Sequence, residues 1–289
     1  MKTLTIKYKL TAPVSHIGET ASTGSYFQTI NTSGGRLPVI TGNSVRGILR
    51  DKLAAHLLET IGMSVDKETF NVLFSGGNIS GSTKNDVQRA KQVREHFPMI
   101  SLLGGGLGTM IMSGNLVSGF VYPVCRESEF ITGIESDTSW HDLIDDIEFT
   151  RMDDAKNDKN SGIITDIDAD QKAKASTQMR FSVQYLSAGT EMVQNIVLLD
   201  SASEIEEAAL WTAIKMWFDL PVLGGMKAKG FGTFSADVNC GRISVDSNGN
   251  ISASKYVSDM IDSYNDFIRS DNSSDWLYLL KDGGKNGKA

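Results

Sequence analysis

Two amphipathic helical segments, each next to strand-like chain, constrain this fold more than any composition figure. In "LPVITGNSVRGILRDKLAAHLLETIG" (37–62), Val45, Ile48, Leu49, Leu53 and Leu57 recur at helical spacing and Gly62 stops the run. Asn43 or Ser44 is the expected N-cap. In "EIEEAALWTAIKMWFDL" (204–220), Ala208, Leu210, Trp211, Ile214 and Phe218 make a buried side. The alternation of "KTLTIKYKLTA" (2–12) predicts a strand before the first helix, and "NLVSGFVYPV" (115–124) predicts one after it. "QMRFSVQYLSAGTEMVQNIVLL" (178–199) reads as a strand, a "SAGT" turn and a second strand. Strand–helix–strand followed by strand–strand–helix–strand is an α+β order that suits a ferredoxin-like sheet.

The remaining segments hang on that frame. "PVSHIGETASTGSYFQTINTSGG" (13–35) is rich in Ser, Thr and Gly and too long for a hairpin turn, which predicts a functional loop. Residues 66–100 read as shorter helices around a polar stretch. From 127 to about 178 the chain is polar and poor in core residues. Within it, "TRMDDAKNDKNSGIITDIDADQKAKAST" (150–177) can hardly bury itself, and reads as a mobile loop or as chain ordered by a partner. A hairpin region (237–252), an acidic helix (253–270) and a polar tail close the sequence.

The net charge of −7 argues, taken alone, against a nucleic-acid partner. Its distribution says otherwise. Residues 1–52 carry Lys2, Lys7, Lys9, Arg36, Arg46, Arg50 and Lys52 against Glu19 and Asp51, and residues 221–236 carry Lys227 and Lys229 with no acid. Cys125 and Cys240 offer neither a disulfide framework nor metal-type spacing and suit a reducing cytoplasm. The start lacks the apolar run of a signal peptide, and no window approaches the roughly 20 apolar residues of a spanning helix. A soluble cytoplasmic protein is expected.

Two glycine-bearing segments stand out. "VLGGMKAKGFGTF" (222–234) fits neither the P-loop nor the dinucleotide fingerprint. Gly224, Gly225 and the later glycines let backbone approach a ligand, Lys227 and Lys229 supply charge, and Phe231 offers a stacking face. The plainer reading is a tight helix–strand loop with incidental lysines. In "TGNSVRGILRD" (41–51) a capped turn opens a helix whose N-terminus can hold an anion, with Arg46 and Arg50 on one face. Here the plainer reading is a solvated helix face. "DIDAD" (166–170) lacks the glycine and terminal Glu of an EF-hand loop. Among His16, His56, His96 and His141 only His16, in the Ser/Thr-rich loop, is placed like a catalytic base. No metal or cofactor is implied.

Taken together, the "PVSHIG" loop, "LPVITGNSVRGILRD", the turn in "FSVQYLSAGTE" and "VLGGMKAKGFGTF" resemble the RAMP superfamily, subunits of Class 1 CRISPR effector complexes. Thr41 stands where that family usually has Pro, and the match continues through Gly42, Asn43, Ser44, Arg46, Gly47 and Arg50. The pattern is closest to backbone subunits of type IV or type I-D systems. The resemblance implies one RRM-like palm over 1–289, with finger insertions at about 63–97 and a long thumb-like β insertion at about 127–178. It implies a phosphate-backbone grip by Asn43, Ser44, Arg46, Arg50, Gly224, Gly225, Lys227, Lys229 and Phe231, with Ser15 and His16 beside it. Arg151 and Met152 would belong to the thumb, Met152 as an apolar wedge. The implied partners are crRNA, target nucleic acid through the guide, copies of the chain head-to-tail and other effector subunits, with no membrane. RNA-cleaving relatives carry an aspartate before the "PVI" strand, whereas residues 22–38 hold no Asp or Glu, which implies a scaffold. Two alternatives stay open: a metal-independent guide-processing endoribonuclease using His16, and an unrelated α+β protein binding a small phosphate ligand.

Overall fold

Alternating burial organises the first strand, β1 (Lys2–Leu10), which turns Leu4, Ile6, Tyr8 and Leu10 into the core. The computed structural model describes residues 1–21, 24–77, 86–151, 179–270 and 273–281. After β1 come β2 (Ile17–Ala21) with β3 (Gly24–Phe27), and β4 (Thr29–Thr32) with β5 (Gly35–Pro38), both antiparallel pairs. The segment expected to be an open loop is therefore mostly strand. Threonine's branched β-carbon suits a pleated ladder. At the second turn the Gly34 N–H donates to Thr32 Oγ1 at 3.2 Å, and Thr32 Oγ1 donates to the Gly35 carbonyl at 2.8 Å.

Helix α1 (Gly42–Ile61) is capped by Thr41, whose Oγ1 accepts from the Ser44 N–H at 3.3 Å. The expected caps, Asn43 and Ser44, lie inside the helix. The start is earlier because Gly42 packs directly on the sheet: a Cβ there would stand 2.0 Å from the Ser118 carbonyl oxygen. Gly62, at φ 65°, ends the helix. α2 (Lys67–Phe70), a single π turn (Asn71–Ser75), α3 (Val87–His96) and α4 (Pro98–Leu103) follow. The small β6 (Gly105–Leu107) and β7 (Met110–Met112) then lead into β8 (Leu116–Pro123). α5 (Glu129–Thr132) precedes a two-stranded ladder, β9 (Ile144–Arg151) against β10 (Met179–Leu186). β11 (Glu191–Leu198), α6 (Glu204–Phe218), β12 (Phe234–Val238), β13 (Ile243–Val245), β14 (Ile251–Ala253) and α7 (Lys255–Ser270) complete the chain order.

The main sheet runs β14-β13-β12-β1-β11-β8. Four of its strands, β12-β1-β11-β8, have the 4-1-3-2 order of a ferredoxin-like palm, with α1 and α6 packed against it. The α+β expectation holds. The "SAGT" turn does not close a hairpin, however. β10 belongs to a second sheet, β2-β3-β10-β9, while β11 lies in the palm, so residues 187–190 form a corner between sheets. Backbone bonds pin that corner to the end of β1: Leu10 N–H to the Thr190 carbonyl at 3.0 Å and Gly189 N–H to the Leu10 carbonyl at 2.7 Å.

Helix α6 begins with a capping box, Ser203 and Glu206 each bonding the other's backbone N–H. Its buried side is wider than the expected stripe and adds Ala209, Ala213 and Trp217. Trp217 packs on Tyr8, Phe218 and Phe234, and its Nε1–H donates to the Val222 carbonyl at 2.9 Å. The core thus holds the start of the glycine-rich segment. No described helix is long and apolar enough to cross a membrane.

Candidate nucleic-acid interface

The glycine-rich segment 222–234 is a tight loop because two of its glycines take backbone that a side chain would obstruct. Gly224 has φ 76°, and a Cβ there would stand 2.4 Å from the Ser15 carbonyl oxygen. Gly232 has φ 93°, and a Cβ would stand 2.2 Å from the Leu223 carbonyl oxygen. Leu223 N–H donates to the Gly232 carbonyl at 2.9 Å, closing the loop's neck. Gly225 N–H donates to the Ser15 carbonyl and Gly232 N–H to the Pro13 carbonyl, both at 2.7 Å, so the loop is docked on residues 13–15. At its tip Lys227–Lys229 makes one 3-10 turn with both lysines exposed.

The next residue reaches the other glycine-bearing segment. His16 Nε2 accepts from the Thr41 N–H at 3.3 Å, directly at the start of α1. Neighbouring residues, Ser15 by its backbone and His16 by its ring, therefore hold the glycine loop and the helix N-terminus side by side. Electrostatics agrees. Burial raises the Asp51 carboxyl on α1, opposed by the positive charges of Arg50, Lys227 and Lys52, so the loop lysine acts on the helix.

The named residues divide in three. Asn43, Arg46 and Lys227 are exposed, Ser44 is half-buried, and Arg46 Nη2 donates to Asn43 Oδ1 at 2.8 Å. Three others are placed differently from expectation. Ser15 is fully buried and contributes its carbonyl, because it is an extended residue bridged to Gly225. Phe231 offers no open stacking face, since it is buried against Phe149 and Tyr185 with ring centroids 6.2 Å from each. Arg50 is buried too, its Nη2 donating to the Leu103 and Gly104 carbonyls at the end of α4. The third group concerns the ladder. Arg151 pairs by backbone with Met179 at its far end, while Met152 and "DIDAD" lie outside the described residues.

An aromatic base to the ladder was not anticipated. Phe149 and Phe181 are direct cross-strand partners with centroids 5.4 Å apart. Lys229 Nζ lies 4.3 Å from one ring centroid and 4.5 Å from the other, a cation–π contact joining loop tip to ladder. Their same-face alternation was visible in "IEFTR" and "RFSVQY"; the register that pairs them was not.

Partial burial lowers the His16 pKa, and its Nε2 must stay unprotonated to accept from Thr41. The unfolded chain then binds the proton more readily. The contribution is complete above the ordinary value of 6.5 and declines as pH falls below it. Urea unfolding between pH 7.5 and 5.5 is expected to show stability falling with acidification, and less steeply in His16→Gln. Parallel slopes would contradict this.

A model of the RAMP superfamily matches residues 7–235. Among solved structures, a chain of a "Type IV-B CRISPR Complex" superposes with a TM-score of 0.58 at 19% identity, covering 82% of this chain and 90% of that one. At that identity the likeness establishes the fold. No curated protein matches the chain.

Proposed function

Because the chain belongs to the RAMP superfamily, we propose that it is a non-catalytic guide-RNA-binding backbone subunit of a CRISPR interference complex. It polymerises head-to-tail along crRNA in the cytoplasm, beside other effector subunits, and presents the guide for pairing with invading nucleic acid. Heterologous contacts that do not close generate such a filament, with the RNA setting its length. The observation that carries this reading is the junction at Ser15–His16, which sets the lysine-tipped glycine loop beside the amino end of α1. Lysines, arginine and helix N–H groups address phosphate and leave base edges free, as a guide carrier needs. The ladder that ends at Arg151 forms the base of the thumb in this reading, and Met152 follows it in the sequence. A type IV complex among the structural relatives is in keeping with it.

The endoribonuclease reading gains no support from His16. A base would need the Nε2 lone pair that already accepts from the Thr41 backbone N–H.

The test is charge reversal. Arg46→Glu together with Lys227→Glu is expected to weaken binding to unrelated single-stranded RNAs alike, by roughly tenfold or more at moderate salt. Losing two phosphate contacts also lowers the slope of log affinity against log salt by about 1.4. Filter binding at four salt concentrations reads both. Unchanged affinity, or a loss confined to one sequence, would refute the reading.

A further inference from the structure

The outer half of the β9–β10 ladder has little backbone support. Near its root, Leu186 bridges Val14, and β10 then pairs with β3 through Val183 with Ser25 and Ser182 with Gly24. Beyond that point, among the described residues, β10 pairs only with β9, and β9 pairs with β10 alone. A ribbon of two strands is marginal by itself and twists freely. What aims it has to come from side chains.

Those side chains belong to the glycine loop. Phe231 packs against Phe149 and Tyr185, with ring centroids 6.2 Å from each. Lys229 Nζ lies 4.3 and 4.5 Å from the centroids of Phe149 and Phe181. Phe181 is the first residue beyond the β3 pairing and Phe149 is its cross-strand partner, so one ammonium holds both strands where support ends. Because Phe181 is 37% exposed, a lysine can cover the rings and still keep its head in water.

The loop is a firm anchor. Its neck is closed by the Leu223–Gly232 bond, and it is docked on residues 13–15. At the tip, Lys229 N–H donates to the carbonyl of Met226, itself in the left-handed region at φ 59°. The two tip lysines diverge, since successive residues of a 3-10 turn are about 120° apart. Lys229 goes to the rings, whereas Lys227 is the one whose charge reaches Asp51 on α1.

We propose that Lys229 is a positioning residue, whose ammonium, seated on the Phe149–Phe181 pair, sets the direction in which the ladder leaves the palm. This rests on the reading of the ladder as the base of the thumb, and adds what aims that thumb. The role is distinct from phosphate contact.

Hydrogen exchange on the RNA-free, full-length protein tests it, with RNA binding alongside. Lys229→Ala is expected to speed exchange across 147–151 and 179–183 roughly two- to fivefold, the worth of one exposed cation–π contact, and to leave 184–186 unchanged. Lys229→Arg, which keeps a cation over the rings, should exchange like the parent protein. Phe181→Leu should reproduce the Lys229→Ala effect, and the double variant should go no further, because both changes remove one contact. With a short single-stranded RNA, Lys229→Ala should keep the slope of log affinity against log salt, whereas Lys227→Ala lowers it by about 0.7 and leaves ladder exchange alone. Unmoved exchange in Lys229→Ala, additive effects in the double variant, or a slope lowered by about 0.7 in Lys229→Ala would overturn the proposal. An unchanged slope in Lys227→Ala counts instead against the RNA groove, and the exchange rates still decide the role of Lys229.

Discussion

Gly232→Ala is expected to destabilise the protein by about 3 kcal/mol or more, a left-handed residue with a steric collision costing well above the usual single substitution. Two effects add. At φ 93° an L-residue is strained whatever its surroundings, and the new methyl would lie 2.2 Å from the Leu223 carbonyl oxygen and 3.0 Å from Val222 Cγ1. That carbonyl belongs to the loop's neck, so relief requires moving the Leu223–Gly232 pair and the Gly232–Pro13 bond with it. Gly230→Ala is the control: φ is 83°, but nothing stands near its missing Cβ. Its loss should be about 1 kcal/mol, the left-handed penalty alone. Urea midpoints measured side by side decide, and equal losses would mean that the collision is relieved at little expense.

Trp217→Ala should cost about 3–5 kcal/mol, the range for removing a large aromatic side chain from a packed core. The ring is fully buried, and its centroid lies 5.3 Å from that of Phe234 and 6.0 Å from that of Tyr8. Trp217→Phe separates packing from hydrogen bonding. It keeps much of the volume but leaves the Val222 carbonyl without its indole donor, at about 1–3 kcal/mol. Because Val222 begins the glycine loop, the Phe variant should also speed hydrogen exchange at the Gly225 and Gly232 amides. Unaltered exchange there would show that the loop is held from residues 13–15 alone.

Much of the palm could be read from periodicity, for physical reasons that also explain the misses. Helix α6 was legible because Ala208, Leu210, Trp211, Ile214 and Phe218 bury one continuous side. Residues 17–38 were not, since Ser, Thr and Gly suit a loop as well as a polar ladder, and partner strands rather than local pattern choose between them. The same limit hid the corner at 187–190: two good strands and a turn look like a hairpin until a third strand captures one of them. At the candidate interface, the glycines and lysines announced themselves by composition. Arg50 and Phe231 did not reveal that they face inward, because side-chain direction at those positions is set by α4 and the β9–β10 ladder, far away in sequence.

The short extended run 14–16 has a mechanical meaning. Val14 exchanges backbone bonds with Leu186 at the root of the ladder, Ser15 receives Gly225, and His16 receives Thr41. Three consecutive residues, spaced about 3.3 Å apart along the strand, thus act as a single hub for three separate arms. Any displacement of the ladder root therefore has a short route to the lysine tip and to the head of α1: two peptide planes and the His16 ring.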